Sequence, residues 1–368
     1  DDSFIIKGSG DKWRSWLRVD LLNGDTTLFL DDSAFNYKGD DLLVSDLTFS
    51  KNANKILIKT DSKQIWRYST EGTYYVFDRL SKNLMPLTED NSNLRNVKFS
   101  PDEKNIAFVK RDNNIYVFNF KSKRQKRLTS SGSETISNGH FGWLYEEELT
   151  GFDGYRWSPD GENIAYWEED ESEVPEYLLI NDLGLYPKIT KIRYPKVGQN
   201  NPSLRIGVAR IKGAGKKWIS GALTNDDYLP WMEWVNNDRL GFTKMGRRQK
   251  KWDLFIASKS NGNSSKIISE SDPNGWVENH GEIYFLNDGK ILWISENSKF
   301  KHIWISKHSG SKTWALTEGS WEVSKVVYID EKESLVYFIA NKQSVFEQNL
   351  YSIRLDGTDL KLLTREAG

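Results

Sequence analysis

Short apolar runs set off by polar turns dominate the chain. Lys55-Ile56-Leu57-Ile58, Asn105-Ile106-Ala107-Phe108-Val109 and Asn163-Ile164-Ala165-Tyr166-Trp167 each follow a polar turn. Second runs such as Asn114-Ile115-Tyr116-Val117-Phe118 and Asn349-Leu350-Tyr351-Ser352-Ile353 have the same composition. Both kinds are rich in β-branched and aromatic residues and bounded by turn formers, which predicts strands. Helical periodicity is nearly absent; only the Glu146 to Leu149 region predicts a helical turn.

The runs recur in register with an aromatic anchor and a small polar turn. The anchors read Phe49-Ser50-Lys51-Asn52, Phe99-Ser100-Pro101-Asp102, Trp157-Ser158-Pro159-Asp160-Gly161, Trp234-Val235-Asn236-Asn237-Asp238, Phe285-Leu286-Asn287-Asp288-Gly289 and Tyr328-Ile329-Asp330-Glu331. Successive aromatics lie 50, 58, 77, 51 and 43 residues apart. Several units close on a Leu-Thr step, at Leu87-Thr88, Leu128-Thr129, Leu316-Thr317 and Leu363-Thr364. Four short antiparallel strands per repeat of this length is the mark of a β-propeller blade. The fold expected is therefore all-β, a β-propeller spanning 1–368 as a single domain. Six anchored units follow an earlier blade, from Phe4 to Leu30, that lacks its opening strand. About seven blades are covered, the first and last incomplete, so the chain reads as a piece of a longer protein.

The one long interval, Trp157 to Trp234, contains Tyr186-Pro187-Lys188 and Tyr194-Pro195-Lys196-Val197-Gly198. Proline in strand-like sequence belongs to edges and excursions, so residues 182–203 read as an arm projecting from a blade. Exposed arms bind partners.

Charge adds mainly exclusions. Lys and Arg number 51 against 52 Asp and Glu, so no global basic field invites nucleic acid. There is no cysteine, which removes disulfides, thiolate metal sites and thiol catalysis. No stretch approaches the roughly eighteen apolar residues of a membrane span. The four histidines, His140, His280, His302 and His308, have no metal-ligand spacing, and no metal or cofactor is expected. Gly213-Ala214-Gly215-Lys216-Lys217 lacks the earlier glycine and the Ser/Thr of a phosphate loop and reads as a hairpin turn. Arg247-Arg248-Gln249-Lys250-Lys251 reads as a blade surface, and Glu168-Glu169-Asp170-Glu171 as a solvated hairpin.

The run that points to chemistry is Trp143-Leu144-Tyr145-Glu146-Glu147-Glu148, three carboxylates behind two aromatics. Acids beside aromatics can be kept partly dry, where an ammonium–carboxylate bond is stronger than on an open surface. A solvated acidic turn is the plain alternative.

Together with Trp66-Arg67-Tyr68-Ser69-Thr70, the Tyr186 to Asn201-Pro202 excursion, Arg247-Arg248-Gln249 and Trp321-Glu322-Val323, this run resembles the dipeptidyl peptidase IV-like serine exopeptidases, in their N-terminal propeller. The pieces occur in the family's order from about residue 4 to 364, and several look like the bacterial branch. The resemblance implies an eight-bladed propeller capping a C-terminal α/β-hydrolase domain that is not present in these residues. It implies that Glu147 and Glu148 grip a substrate's free amino terminus and that Arg67 binds a substrate carbonyl, with Tyr145, Trp143 and Glu146 in support. The parent would release X-Pro or X-Ala dipeptides, pair as a homodimer through the 182–203 arm, and work in the periplasm or outside the cell, membrane-attached in some settings. Two departures matter. After Gly275-Trp276-Val277 this chain has Glu278-Asn279-His280 where animal members extend the subsite with an aromatic and an arginine, so those roles are not carried over. No Gly-x-Ser-x-Gly occurs, so no catalytic residue lies in this chain and it is expected to be inactive alone. The alternative is a non-catalytic propeller serving as a protein-binding module or regulatory partner, because relatives that have lost the serine keep the acidic run.

Overall fold

The repeated aromatic-Ser anchor folds into one local device in three places. The Ser50, Ser100 and Ser158 hydroxyls accept the backbone N–H of Lys55, Asn105 and Asn163 at 3.1, 3.0 and 2.9 Å, closing the turn that starts the next strand. The Leu-Thr steps are equally uniform. The Thr129, Thr317 and Thr364 hydroxyls accept the N–H of Ile115, Ile303 and Leu350 at 3.0, 3.0 and 2.9 Å, fastening the outer edge of three sheets.

These devices sit in a computed structural model that describes residues 3–8, 15–90, 93–213, 215–224, 226–278, 281–307, 310 and 312–364. Asn279, His280 and His308 lie outside the described residues. The chain is all-β in a seven-bladed propeller arrangement, as the repeat predicts. Five sheets are four-stranded antiparallel meanders in sequence order; the first has three described strands, Ser3–Lys7, Trp16–Asp20 and Thr26–Leu30. The second strand of a blade is covered on both faces, as in Asn105–Val109 and Ile291–Ser295, where every residue is buried. The outer strand Arg124–Arg127 is exposed throughout.

By internal contacts the chain divides into two units, Asp1–Ser172 with Glu176–Tyr194 and Ala209–Ala214, and Glu173–Pro175 with Pro195–Val208 and Gly215–Gly368. In the first, Leu57, Val76, Ile106, Phe108 and Phe118 form a core shared by successive sheets. In the second, Leu292, Ile303, Val336, Phe338 and Tyr351 do the same.

Two excursions leave the fourth sheet. Ile136–Asn138 and Tyr155–Trp157 pair with consecutive stretches of one strand, Asn163–Asp170, and the residues between them form a loop. Its neck is closed by Gly154 N–H to Gly139 O at 3.1 Å. A Cβ on Gly154 would lie 2.4 Å from the Gly139 carbonyl carbon, so only glycine fits there. The second excursion is the hairpin Glu176–Asn181 and Lys188–Arg193, paired in unbroken register.

Candidate functional site

The loop between Gly139 and Gly154 carries the single α-helix of the described residues, α1, Trp143–Leu149. Leu144, Tyr145 and Glu146 are its buried face; Tyr145 stacks on Phe141 with ring centroids 5.2 Å apart. Thr150 in the left-handed conformation ends the helix, and Gly151 N–H closes back on Tyr145 O at 2.8 Å. The loop after it is tied to the third sheet by Lys98 Nζ, which donates to Asp153 Oδ1 at 2.6 Å and to Tyr155 O at 2.7 Å.

Arg67 comes from the tip of a long hairpin between strands Lys55–Gln64 and Thr70–Asp78. The tip is held to α1 by Glu146, which is fully buried and whose Oε1 accepts the N–H groups of Tyr68 at 2.5 Å and Ser69 at 2.6 Å. Tyr68 also packs on Phe152, centroids 6.0 Å apart. The Arg67 Nε then donates to Glu147 Oε2 at 2.6 Å, with side chains 63% and 15% exposed respectively. That bond holds the guanidinium above its ordinary pKa, so Arg67 stays charged. Glu148, the next residue, is exposed. Of the sequence-derived set, Arg67 and Glu147 are brought into direct contact, Glu146 and Tyr145 are buried on the same helix, and Glu148 follows Glu147 with its side chain exposed. Trp143 lies to the side, 4.4 Å from the Tyr194 ring at the foot of the hairpin, which in turn lies 5.7 Å from Tyr177.

A cavity of about 310 Å³ opens beside the helix, lined among others by Trp66, Arg95, His140, Trp143 and Glu171. Arg95 is held near Glu71 at 3.8 Å, and its Nη1 approaches His140 Nδ1 at 3.4 Å. His140 sits between Arg95 and Asn113, whose Oδ1 lies 2.9 Å from Nε2. Burial first and the Arg95 charge second push its pKa down to about 3, so the ring is neutral, accepting from Arg95 and donating to Asn113.

The Glu168 to Glu171 run does not form the solvated hairpin its charge suggested. Glu168 and Glu169 are buried on strand Asn163–Asp170, Glu168 accepting from the Ser131 hydroxyl. Burial and the neighbouring Glu171 drive the Glu169 carboxyl well above its usual range. Neither these acids nor Arg95 and His140 carry a local sequence signal for the site; a run of acids ending a strand that begins Asn163-Ile164-Ala165-Tyr166-Trp167 was the single available hint of burial. Among the described residues no group of His, Cys, Asp or Glu is arranged to hold a metal ion. The arrangement offers two adjacent carboxylates and a guanidinium on a rigid floor, suited to an ammonium beside a carbonyl.

Comparison with known proteins gives a consistent neighbourhood. Residues 50–368 match the family described as dipeptidyl peptidase IV (DPP IV) N-terminal region. The chain is 30% identical over 374 residues to dipeptidyl aminopeptidase B of Saccharomyces cerevisiae, covering 96% of this chain and 44% of that protein. It is 30% identical over 328 residues to a probable dipeptidyl peptidase 4 of Arthroderma benhamiae, covering 84% and 42%. The chain therefore spans less than half the length of these curated relatives. The crystal structure of Porphyromonas gingivalis dipeptidyl peptidase 4 matches with a TM-score of 0.91 at 24% identity, over 100% of this chain and 52% of that one, which shows the shared fold. No helix among the described residues is long and apolar enough to cross a membrane.

Proposed function

This chain belongs to the dipeptidyl peptidase IV N-terminal region family, and from that premise we propose that it is the substrate-gating propeller of a larger serine-type dipeptidyl peptidase, the part that grips a peptide's free amino terminus. The observation that carries this is Glu146: buried, and bonded to two N–H groups of the Arg67 loop, it holds Glu147 and Arg67 in contact with Glu148 alongside. An incoming ammonium has three donors, and two adjacent carboxylates can take them while offsetting its charge. Arg67 then turns its remaining N–H groups to a substrate carbonyl. An anchored amine acts as a ruler, since it sets how many residues reach the nucleophile, and the product is a dipeptide, X-Pro or X-Ala. The serine, with its Asp and His, belongs in this reading to a C-terminal α/β-hydrolase domain of the parent, and the chain alone is inactive.

The hairpin supplies the pairing surface of the same reading. Leu178, Ile180, Leu183, Leu185, Tyr186 and Ile189 are all exposed on it. An isolated two-stranded sheet is marginal in water, and an exposed apolar patch of this kind seeks cover. A second copy of the parent, paired through the 182–203 arm, provides it. The parent works in the periplasm or outside the cell, with a membrane-attached form in some settings, where peptides with free amino termini are its partners; nucleic acid is not.

The test uses the full-length parent with glycyl-prolyl-p-nitroanilide and its N-acetylated form. Glu147→Gln and Glu148→Gln should each lower kcat/KM by about 100-fold, the scale of losing one charge-assisted hydrogen bond, with the acetylated substrate inert throughout. Normal efficiency in the double variant would sink the amine-anchor mechanism. A parent without a serine nucleophile would make the same surface a binding module.

A further inference from the structure

Helix α1 has no side-chain cap of its own. Its N-cap is Gly142, which has no side chain to offer the first turn. In a capping box an acid at the third helical position reaches back to the N–H of the cap residue. That position is Tyr145, stacked on Phe141, and the next residue, Glu146, is committed to the Tyr68 and Ser69 amides. The Gly142 N–H donates instead to Glu169 Oε2 at 2.5 Å, 27 residues further along the chain. Glu169 is fully buried, and its Oε1 has no hydrogen-bond partner among the described residues. Glu171 closes on the same glycine from another side: a Cβ built on Gly142 would meet its Oε1 at 2.3 Å.

Resting on the functional reading above, we propose that Glu169 is a positioning residue for the amine anchor, capping from outside the helix that carries Glu147 and Glu148, with Glu171 packed on the same glycine. Three features support the assignment. The acid lies on strand Asn163–Asp170, the most completely buried strand of its sheet, so it is a fixed point against which a seven-residue helix can be set. Such a short helix does not hold itself in water, so its direction depends on what grips its ends. Its other end is gripped through Gly151 and Asp153, and at the first turn the side chains of Trp143, Tyr145 and Glu146 make contacts of their own while Gly142 supplies the backbone N–H bonded to a distant acid. Burial first, then the Glu171 charge, raise the Glu169 pKa well above the usual carboxylate range against the opposing pull of the Gly142 N–H. Burial also lifts Glu171 to about 7, with the Arg193 guanidinium lowering it and Asp170 raising it. Glutamine keeps an oxygen that can accept the Gly142 N–H, and leucine of similar size does not.

The experiment is run on the full-length parent with two readouts, KM and kcat for glycyl-prolyl-p-nitroanilide at pH 7, and hydrogen exchange of the peptide covering residues 141–150. Glu169→Leu should raise KM by about tenfold, with kcat changed less than about threefold, and should speed exchange across the helix. Glu169→Gln should stay within about threefold of the wild type in both constants and keep its exchange protection. Gly142→Ala, which leaves Glu169 in place and drives into Glu171, should reproduce the KM increase even where the leucine variant fails to fold. A folded Glu169→Leu protein with wild-type KM and exchange would overturn the proposal, as would a Gln variant as damaged as the Leu variant. A wild-type parent without dipeptidase activity would defeat the functional reading alone, and exchange would still decide the cap.

Discussion

The two excursions from the fourth sheet solve opposite problems with the same kind of chain. The helix loop is pulled inward: its neck is closed by Gly139 and Gly154, Glu146 is buried beneath it, and Lys98 ties its exit to the preceding blade. The hairpin projects: its register is regular, and Glu176 pairs with Lys191 at 3.1 Å and Arg193 at 3.7 Å toward its base. Its far end leaves Leu183 96% exposed. The difference teaches where rigidity is needed. On the proposed reading, charges that meet an ammonium in a set place gain from a floor that does not reorganise, whereas a surface that pairs with a second copy needs only to be presented. The Trp143, Tyr194 and Tyr177 rings join the two, so neither is independent of the other at the base.

The largest effect that would break this contrast is at Glu146. Glu146→Ala strands the Tyr68 and Ser69 N–H groups and opens a buried space, and should cost about 3–5 kcal/mol in urea unfolding of this chain. A loss below about 1 kcal/mol would mean that the floor is not held as described. Next comes acid. The unfolded chain protonates His140 below its ordinary value of 6.5, while the folded chain does so only near 3. Stability therefore falls as pH drops through that window, by roughly 2–3 kcal/mol between pH 6.5 and 4.5 from this ring. Unfolding of His140→Gln across the same range should show a flatter acid limb; an unchanged slope would remove His140 from the account. The smallest stability effect is on the hairpin. Ile180→Lys with Leu183→Lys should change unfolding by less than about 0.5 kcal/mol while turning the parent from dimer to monomer in sedimentation velocity. A persistent dimer would place pairing elsewhere.

What could be read in advance follows the range of the interactions. The anchors at Phe49, Phe99 and Trp157 were legible because their serine bonds close within five residues, and the Thr129, Thr317 and Thr364 steps because a strand edge repeats the same contact. Glu147, Glu148 and Arg67 were named through a motif, which did not say that Arg67 and Glu147 bond directly across 80 residues. The acids at 168–171 misled, because a charge run has the same composition whether water or a neighbouring loop covers it.

Sequence by itself determined the strands, their turns, the blade count and the place of the acidic run, all of which rest on local hydrogen bonds and alternation. Tertiary structure alone decided which acids are dry, that Glu169 meets Gly142, and that Arg67 reaches Glu147. Burial and long-range contact depend on which blades become neighbours, and desolvation, which raises the Glu169 pKa and lowers that of His140, exists only once they have.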